Sequence, residues 1–125
     1  MKEIEIKENG YTYEMREELK TLRTNIQFCG DDKRVILLTS SVASEGKSTT
    51  ALNLAISLTE LGKKVMLVDA DIRKSVMVSW VKGGKMEFGL SHFLAGQCQV
   101  SEAVYAVSNV DNLYLMIAGP GVPNP

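Results

Sequence analysis

Ser41-Val-Ala-Ser-Glu-Gly-Lys-Ser48 sets Gly46, Lys47 and Ser48 in the register of the tail of a phosphate-binding loop. Immediately before it runs Val35-Ile36-Leu37-Leu38. Four uniformly apolar residues suit a strand buried on both faces of a parallel sheet. After it, the spacing predicts a helix from about Lys47 to Leu61, with Gly62 as its stop. Ala51, Leu52, Leu54, Ala55, Ile56 and Leu58 make that helix apolar almost all round, so it should be largely buried. Val65-Met66-Leu67-Val68 is the next buried strand, ending at Asp69. Strand, helix and strand within ~35 residues form one right-handed βαβ unit and place the chain in the α/β class.

The chemistry follows from the helix start. Its free backbone N–H groups and the positive end of the helix dipole favour a bound phosphate. Ser44, Glu45, Gly46, Lys47, Ser48 and Thr49 are therefore the candidate nucleotide-binding residues. Lys47 would reach the β- and γ-phosphates, the Ser48 hydroxyl would ligate Mg²⁺, and Thr49 would meet the α-phosphate. Ser41 stands where the full pattern has its first glycine, which narrows the backbone angles open to that turn.

A second motif, Val65-Met-Leu-Val-Asp-Ala-Asp-Ile-Arg73, sets Asp69 and Asp71 at the carboxyl end of a strand. Ligands of open α/β sheets bind at that edge. Two carboxylates beside a phosphate site hold Mg²⁺, or position a nucleophile and take its proton. Arg73 adds positive charge for a phosphate or an acidic partner. A solvated acidic strand end is the bland alternative, and the neighbouring phosphate loop argues against it.

Outward from this centre the signals weaken. Residues 1–13 read as a polar, aperiodic tail. Met15, Leu19, Leu22 and Ile26 form one apolar stripe of a helix that Gly30-Asp31-Asp32 ends. Glu17, Lys20 and Arg23 form a slanted charged stripe off that face. Residues 76–88, with Trp80 and Gly83-Gly84, read as an irregular excursion. Leu90–Leu94 suggests a short helix, Ser101 the cap of another running to Tyr105, and Leu113–Ile117 a third strand. Tyr105 and Tyr114 read as packing residues, and His92 as structural or surface. Tyr11 and Tyr13 read as ordinary exposed tyrosines.

Composition excludes several classes. The chain has 125 residues, 14 basic against 15 acidic, and is 45% hydrophobic and 23% charged, as expected of one globular domain. A net charge of -1 and a pI near 5.8 argue against a dedicated nucleic-acid binder. No apolar run approaches the ~20 residues that span a bilayer. The charged MKEIEIKENG start has no signal-peptide core. Cys29 and Cys98 make no metal or redox motif.

At its two motifs the sequence resembles the bacterial tyrosine kinases, autokinases of capsule and exopolysaccharide synthesis. Their phosphate loop has the form Ser-x-x-Pro-x-Glu-Gly-Lys-Ser/Thr. Here it is Ser40-Ser-Val-Ala-Ser-Glu-Gly-Lys-Ser-Thr49, with Ala43 at the proline position. Their second motif, an apolar run followed by Asp-x-Asp-x-Arg, is complete at Asp69, Asp71 and Arg73. Glu17–Ile26 resembles the family's first helix, and Gly89–Gly96, Asn112-Leu and Ala118-Gly-Pro its middle segments. Arg73-Lys-Ser departs from the usual Arg-Lys-Pro.

The resemblance implies a P-loop NTPase-like α/β fold of the SIMIBI class, a mostly parallel sheet flanked by helices, incomplete here. It implies ATP and Mg²⁺, with Lys47, Asp69, Asp71 and Arg73 catalytic and Ser48, Asp69 and Asp71 on the metal. Residues 14–125 would be the N-terminal part of the kinase domain, with the Walker A and A′ motifs. No later apolar strand ends in Asp-x-Pro as the Walker B element, and no tyrosine cluster closes the chain. Glu17, Lys20 and Arg23 match the stripe that joins subunits into a ring, a homo-oligomer contact, with Lys20 replacing an arginine. Lysine lacks the planar bidentate fork of arginine. The resemblance also implies a cytoplasmic protein held to the membrane through an adaptor of the polysaccharide chain-length type, with no direct insertion. Two alternatives remain open: a Min/Par-type ATPase switch, against which Val42 stands at the place of an extra lysine, and a non-catalytic truncated remnant.

Overall fold

The computed structural model describes residues 2–7, 13–28, 44–69, 81–84 and 86–119, with the backbone alone at 13 and 44–49. The element order is β1 (Glu3–Ile6), α1 (Tyr13–Phe28), α2 (Ser44–Thr59), β2 (Val65–Val68), β3 (Val81–Gly83), α3 (Leu90–Leu94), α4 (Val100–Ala103), β4 (Tyr105–Val107) and β5 (Leu113–Met116). The strands form one sheet in the order β2-β5-β4-β1-β3.

The α/β layering matches the expectation, and among the described strands the sheet is mixed. β2 runs parallel to β5, and β1 parallel to β4. β4 and β5 are antiparallel because a short turn through Asn112, with φ 67°, reverses the chain between them. β1 and β3 also pair antiparallel.

Alternation along β5 shows how the two faces are covered. Leu113 and Leu115 enter one core with Leu52 and Ala55 of α2, Tyr105, Val107, Ile4 and Ile6. Tyr114 and Met116 point to the other face and join Ala103, Val104, Phe88, Leu90 and Cys98 around α3 and α4. Burying a side chain such as Leu52 stabilises the fold by about 1.5–3 kcal/mol.

Helices α1, α2 and α3 and strands β2 and β5 follow the spacing read from sequence, but β2 is not the buried strand expected: Met66 is 50% and Val68 40% exposed, on the side opposite Val65 and Leu67. α2 starts at Ser44, earlier than expected, and ends before Gly62, whose φ of +80° is the left-handed stop that glycine accepts without strain. Leu52, Asn53, Leu54, Ala55, Ser57 and Thr59 are buried, as its nearly all-round apolar character implies. The strand expected at Val35–Leu38 lies outside the described residues.

Three further expectations are corrected. Residues 3–6 of the supposed loose tail are a strand, and Ile4 and Ile6 are 1% and 2% exposed in the main core. Backbone bonds tie β1 down: Ala106 N–H donates to the Lys2 carbonyl at 3.0 Å and Ser108 N–H to the Ile4 carbonyl at 2.7 Å. The supposed irregular excursion contains β3, which borders β1 and sets Lys82 Nζ 2.9 Å from Glu5 Oε1. The last helix is Val100–Ala103, preceded by Gln99, whose N–H donates to Glu102 Oε1 at 3.0 Å. Ser101 lies inside it. Val104 is already extended, and the aromatic and β-branched run that follows takes Tyr105 into β4.

Candidate nucleotide-binding edge

Chain direction brings the two motifs together. α2 runs down the sheet, the chain turns through residues 60–64, and β2 returns beside it. The amino end of α2 and the carboxyl end of β2 therefore lie at the same edge of the domain. Ser44, Glu45, Gly46, Lys47, Ser48 and Thr49 all sit in the first turns of α2, and the earliest of their backbone N–H groups lack partners within the helix. A helix start of this kind is suited to phosphate.

Asp69 follows β2 directly and is half-buried. Its N–H donates to the Met116 carbonyl at 2.9 Å, which extends the parallel β2–β5 pairing one residue past the strand. The carboxylate thus stands on a backbone fixed by two neighbouring strands. Asp71 and Arg73 lie outside the described residues, as does the loop before Ser44.

The rim continues past β5. Leu90 N–H donates to the Ile117 carbonyl at 2.7 Å and Ser91 N–H to the Ala118 carbonyl at 2.9 Å. This contact needs two glycines. A Cβ on Gly89 would come within 2.6 Å of the Gly119 nitrogen, and Gly119 has φ +84°. His92 fixes the start of α3: its Nδ1 accepts the Gly89 N–H at 3.0 Å, and Phe88 meets its ring edge-on at 5.2 Å. His92 is structural, as read from sequence. Tyr105 is fully buried, and its hydroxyl both accepts from Phe88 N–H and donates to the Phe88 carbonyl, each at 2.9 Å. Cys98 carries a free thiol. Partial burial, then the Glu102 carboxylate, push its pKa up, which favours the neutral thiol.

The charged stripe of α1 divides. Glu17 and Lys20 pair at 3.5 Å on the surface. Arg23 turns inward and donates to the Ser57 carbonyl of α2 at 2.9 Å, with Glu60 Oε2 3.3 Å away.

Sequence reading missed Ser57 and Glu60 as partners of Arg23. It also missed Asn53, which is 2% exposed and whose Oδ1 has no partner among the described residues. A polar residue inside an otherwise apolar helix was the available signal. The described residues assemble no group of three His, Cys, Asp or Glu for a metal. Among them no helix is long and apolar enough to cross a membrane.

A helix start and an acidic strand end on one edge of a helix-flanked sheet define a P-loop NTPase-like domain. Residues 33–122 match the family model described as AAA domain, and the chain belongs to that family. It is similar to the tyrosine-protein kinase CpsD of Streptococcus pneumoniae, 37% identical over 123 residues, which cover 98% of this chain and 54% of the relative. It is also similar to the tyrosine-protein kinase YwqD of Bacillus subtilis (strain 168), 40% identical over 87% of this chain and 46% of the relative. Among solved structures, the crystal structure of the chimerical protein CapA2B2 matches with a TM-score of 0.76 and 32% identity, over 87% of this chain and 48% of that one. These matches bear out the resemblance to bacterial tyrosine kinases. The chain spans about half the length of the curated relatives it matches.

Proposed function

We propose that this chain is the ATP-binding part of a bacterial protein-tyrosine autokinase that regulates capsular or exopolysaccharide synthesis. The meeting of the α2 amino end with Asp69 at one sheet edge carries the reading. The relatives' names support the choice of tyrosine as acceptor.

The residues fit a magnesium nucleotide by their chemistry. Backbone N–H groups of residues 44–49 and the Lys47 ammonium suit phosphate oxygens, while the Ser48 hydroxyl and the Asp69 and Asp71 carboxylates suit Mg²⁺. The bound ion would neutralise charge on the β- and γ-phosphates. Asp69 orients the tyrosine hydroxyl and takes its proton as that oxygen bonds to the γ-phosphorus and the bond to ADP breaks. Lys47 and Arg73 stabilise the charge that develops on the transferring group.

In this reading residues 14–125 are the N-terminal part of the kinase domain, and β1 adds the preceding segment to its sheet. Glu17 and Lys20, the outward-facing members of the α1 stripe, belong to a ring-forming homo-oligomer contact, and Arg23 supports it from within the protomer. A membrane adaptor holds the otherwise cytoplasmic protein at the membrane.

The test uses a chain extended to the relatives' full length, with Mg²⁺ and ATP. Phosphotyrosine should form, and Lys47→Ala should abolish it. Unchanged phosphate incorporation in that variant would refute the role of Lys47. ATP hydrolysis without phosphotyrosine would move the assignment to an ATPase switch.

A further inference from the structure

Arg23 makes its contacts inside the protomer. Its Nη1 donates to the Ser57 carbonyl at 2.9 Å and lies 3.3 Å from Glu60 Oε2. The Arg23 side chain is only 15% exposed, against 46% for Lys20 one turn earlier. Ser57 and Glu60 stand at the carboxyl end of α2. There the helix closes in a tight turn, with Glu60 N–H on the Ser57 carbonyl at 3.2 Å and Leu61 N–H on the Leu58 carbonyl at 3.2 Å. A guanidinium at this end supplies a donor to a terminal carbonyl and a cation to the negative pole of the helix.

The opposite end of α2 carries Ser44 to Thr49. Sixteen helical residues separate the ends by ~24 Å, and a packed helix carries a displacement of one end to the other. We infer that Arg23 is a positioning residue: it fixes α2 from its carboxyl end and ties α1 to the helix whose amino end faces the nucleotide phosphates. The inference rests on the proposed nucleotide reading. It gives Arg23 an internal task and leaves Glu17 and Lys20 as the members of the stripe that face outward. A bound nucleotide and the Arg23 contact then stabilise each other reciprocally across the length of α2.

Hydrogen exchange on the chain, with and without Mg²⁺ and a non-hydrolysable ATP analogue, tests this. Without nucleotide, Arg23→Ala should speed exchange at residues 44–50 as well as at 57–62, with β4 and β5 unchanged. Arg23→Lys keeps the charge and one donor and should restore most of the protection. Glu60→Gln should give a smaller change at the same places. With nucleotide, the native chain should gain protection at 57–62, Arg23→Ala should lose that gain, and its nucleotide affinity should fall about fivefold. Changes confined to 20–26 and 57–62, or a uniform rise across the sheet in both Arg23→Ala and Glu60→Gln, would overturn the inference. If the native chain binds no nucleotide, the nucleotide reading falls, and the ligand-free comparison still decides the role of Arg23.

Discussion

β1 and α1 are neighbours in sequence and opposites in packing. β1 is Glu-Ile-Glu-Ile, half charged, and buries both isoleucines almost completely. α1 carries a regular apolar stripe, yet Met15 is 41% exposed and Leu22 37%, and of that stripe only Leu19 is buried. The difference lies in position. β1 sits between β4 and β3 inside the sheet, and one of its faces meets the core beneath α2. Among the described residues α1 lies against α2 and joins neither core cluster, so its stripe is only partly covered. Composition measured over a segment is a weaker guide to burial than the place the topology gives it.

Variants can break that comparison directly. Ile4→Ala should cost about 2–5 kcal/mol of unfolding free energy, measured by urea denaturation, because it opens a cavity in the main core. A loss no larger than that of a surface change would mean that β1 is not part of the folded sheet. Asn109→Ala should cost about 1–3 kcal/mol. The Asn109 carboxamide accepts Ile6 N–H at 3.1 Å and donates to the Ile6 carbonyl at 2.8 Å, acting as a substitute strand partner for β1. A neutral result would show that β1 holds by its isoleucines alone.

Leu22→Ala in α1 should cost less, about 1 kcal/mol, since more than a third of the side chain stays exposed and alanine favours helix. A cost near that of Ile4→Ala would erase the contrast and point to a partner on the α1 stripe. The smallest effect is chemical and serves as a reference on the opposite sheet face. In a Cys29→Ser background, Cys98 should alkylate more slowly than a free thiol at mildly alkaline pH, and denaturant should restore the rate. The sign follows from its raised pKa: folding favours the neutral thiol. That stability is present below the unfolded thiol's pKa and is lost as pH rises through the folded one.

Some features were legible because they are local. The α2 pattern shows in the run Ala51-Leu52-Asn53-Leu54-Ala55-Ile56, apolar but for Asn53, and β2 and β5 in four-residue apolar runs bounded by turn or acidic residues. The edge shared by the α2 start and the β2 end was legible as well, since a helix start around Gly46-Lys47-Ser48 and an aspartate after an apolar strand need only a few adjacent residues. β1 was missed although Ile4 and Ile6 alternate with glutamates, because four residues of alternation do not outweigh a charged surrounding. β3 was missed because Val81-Lys-Gly83 has no periodicity of its own and exists as a strand only beside β1. The direction of Arg23 was missed because helical spacing gives an angle around the axis and says nothing of what stands at that angle.

The sequence by itself determined which residues form α2, β2 and β5 and which of them stand at the α2 start and the β2 end. Hydrophobic periodicity and helix-start chemistry act over a few residues, so they are written into the order of the chain. Only the tertiary structure decided that a charged segment at the start becomes an inner strand, that Asn109 completes its hydrogen bonds from 103 residues away, and that Arg23 faces α2. Those outcomes depend on which backbone donors and carbonyls are left unpaired after the sheet assembles, and no local pattern encodes that.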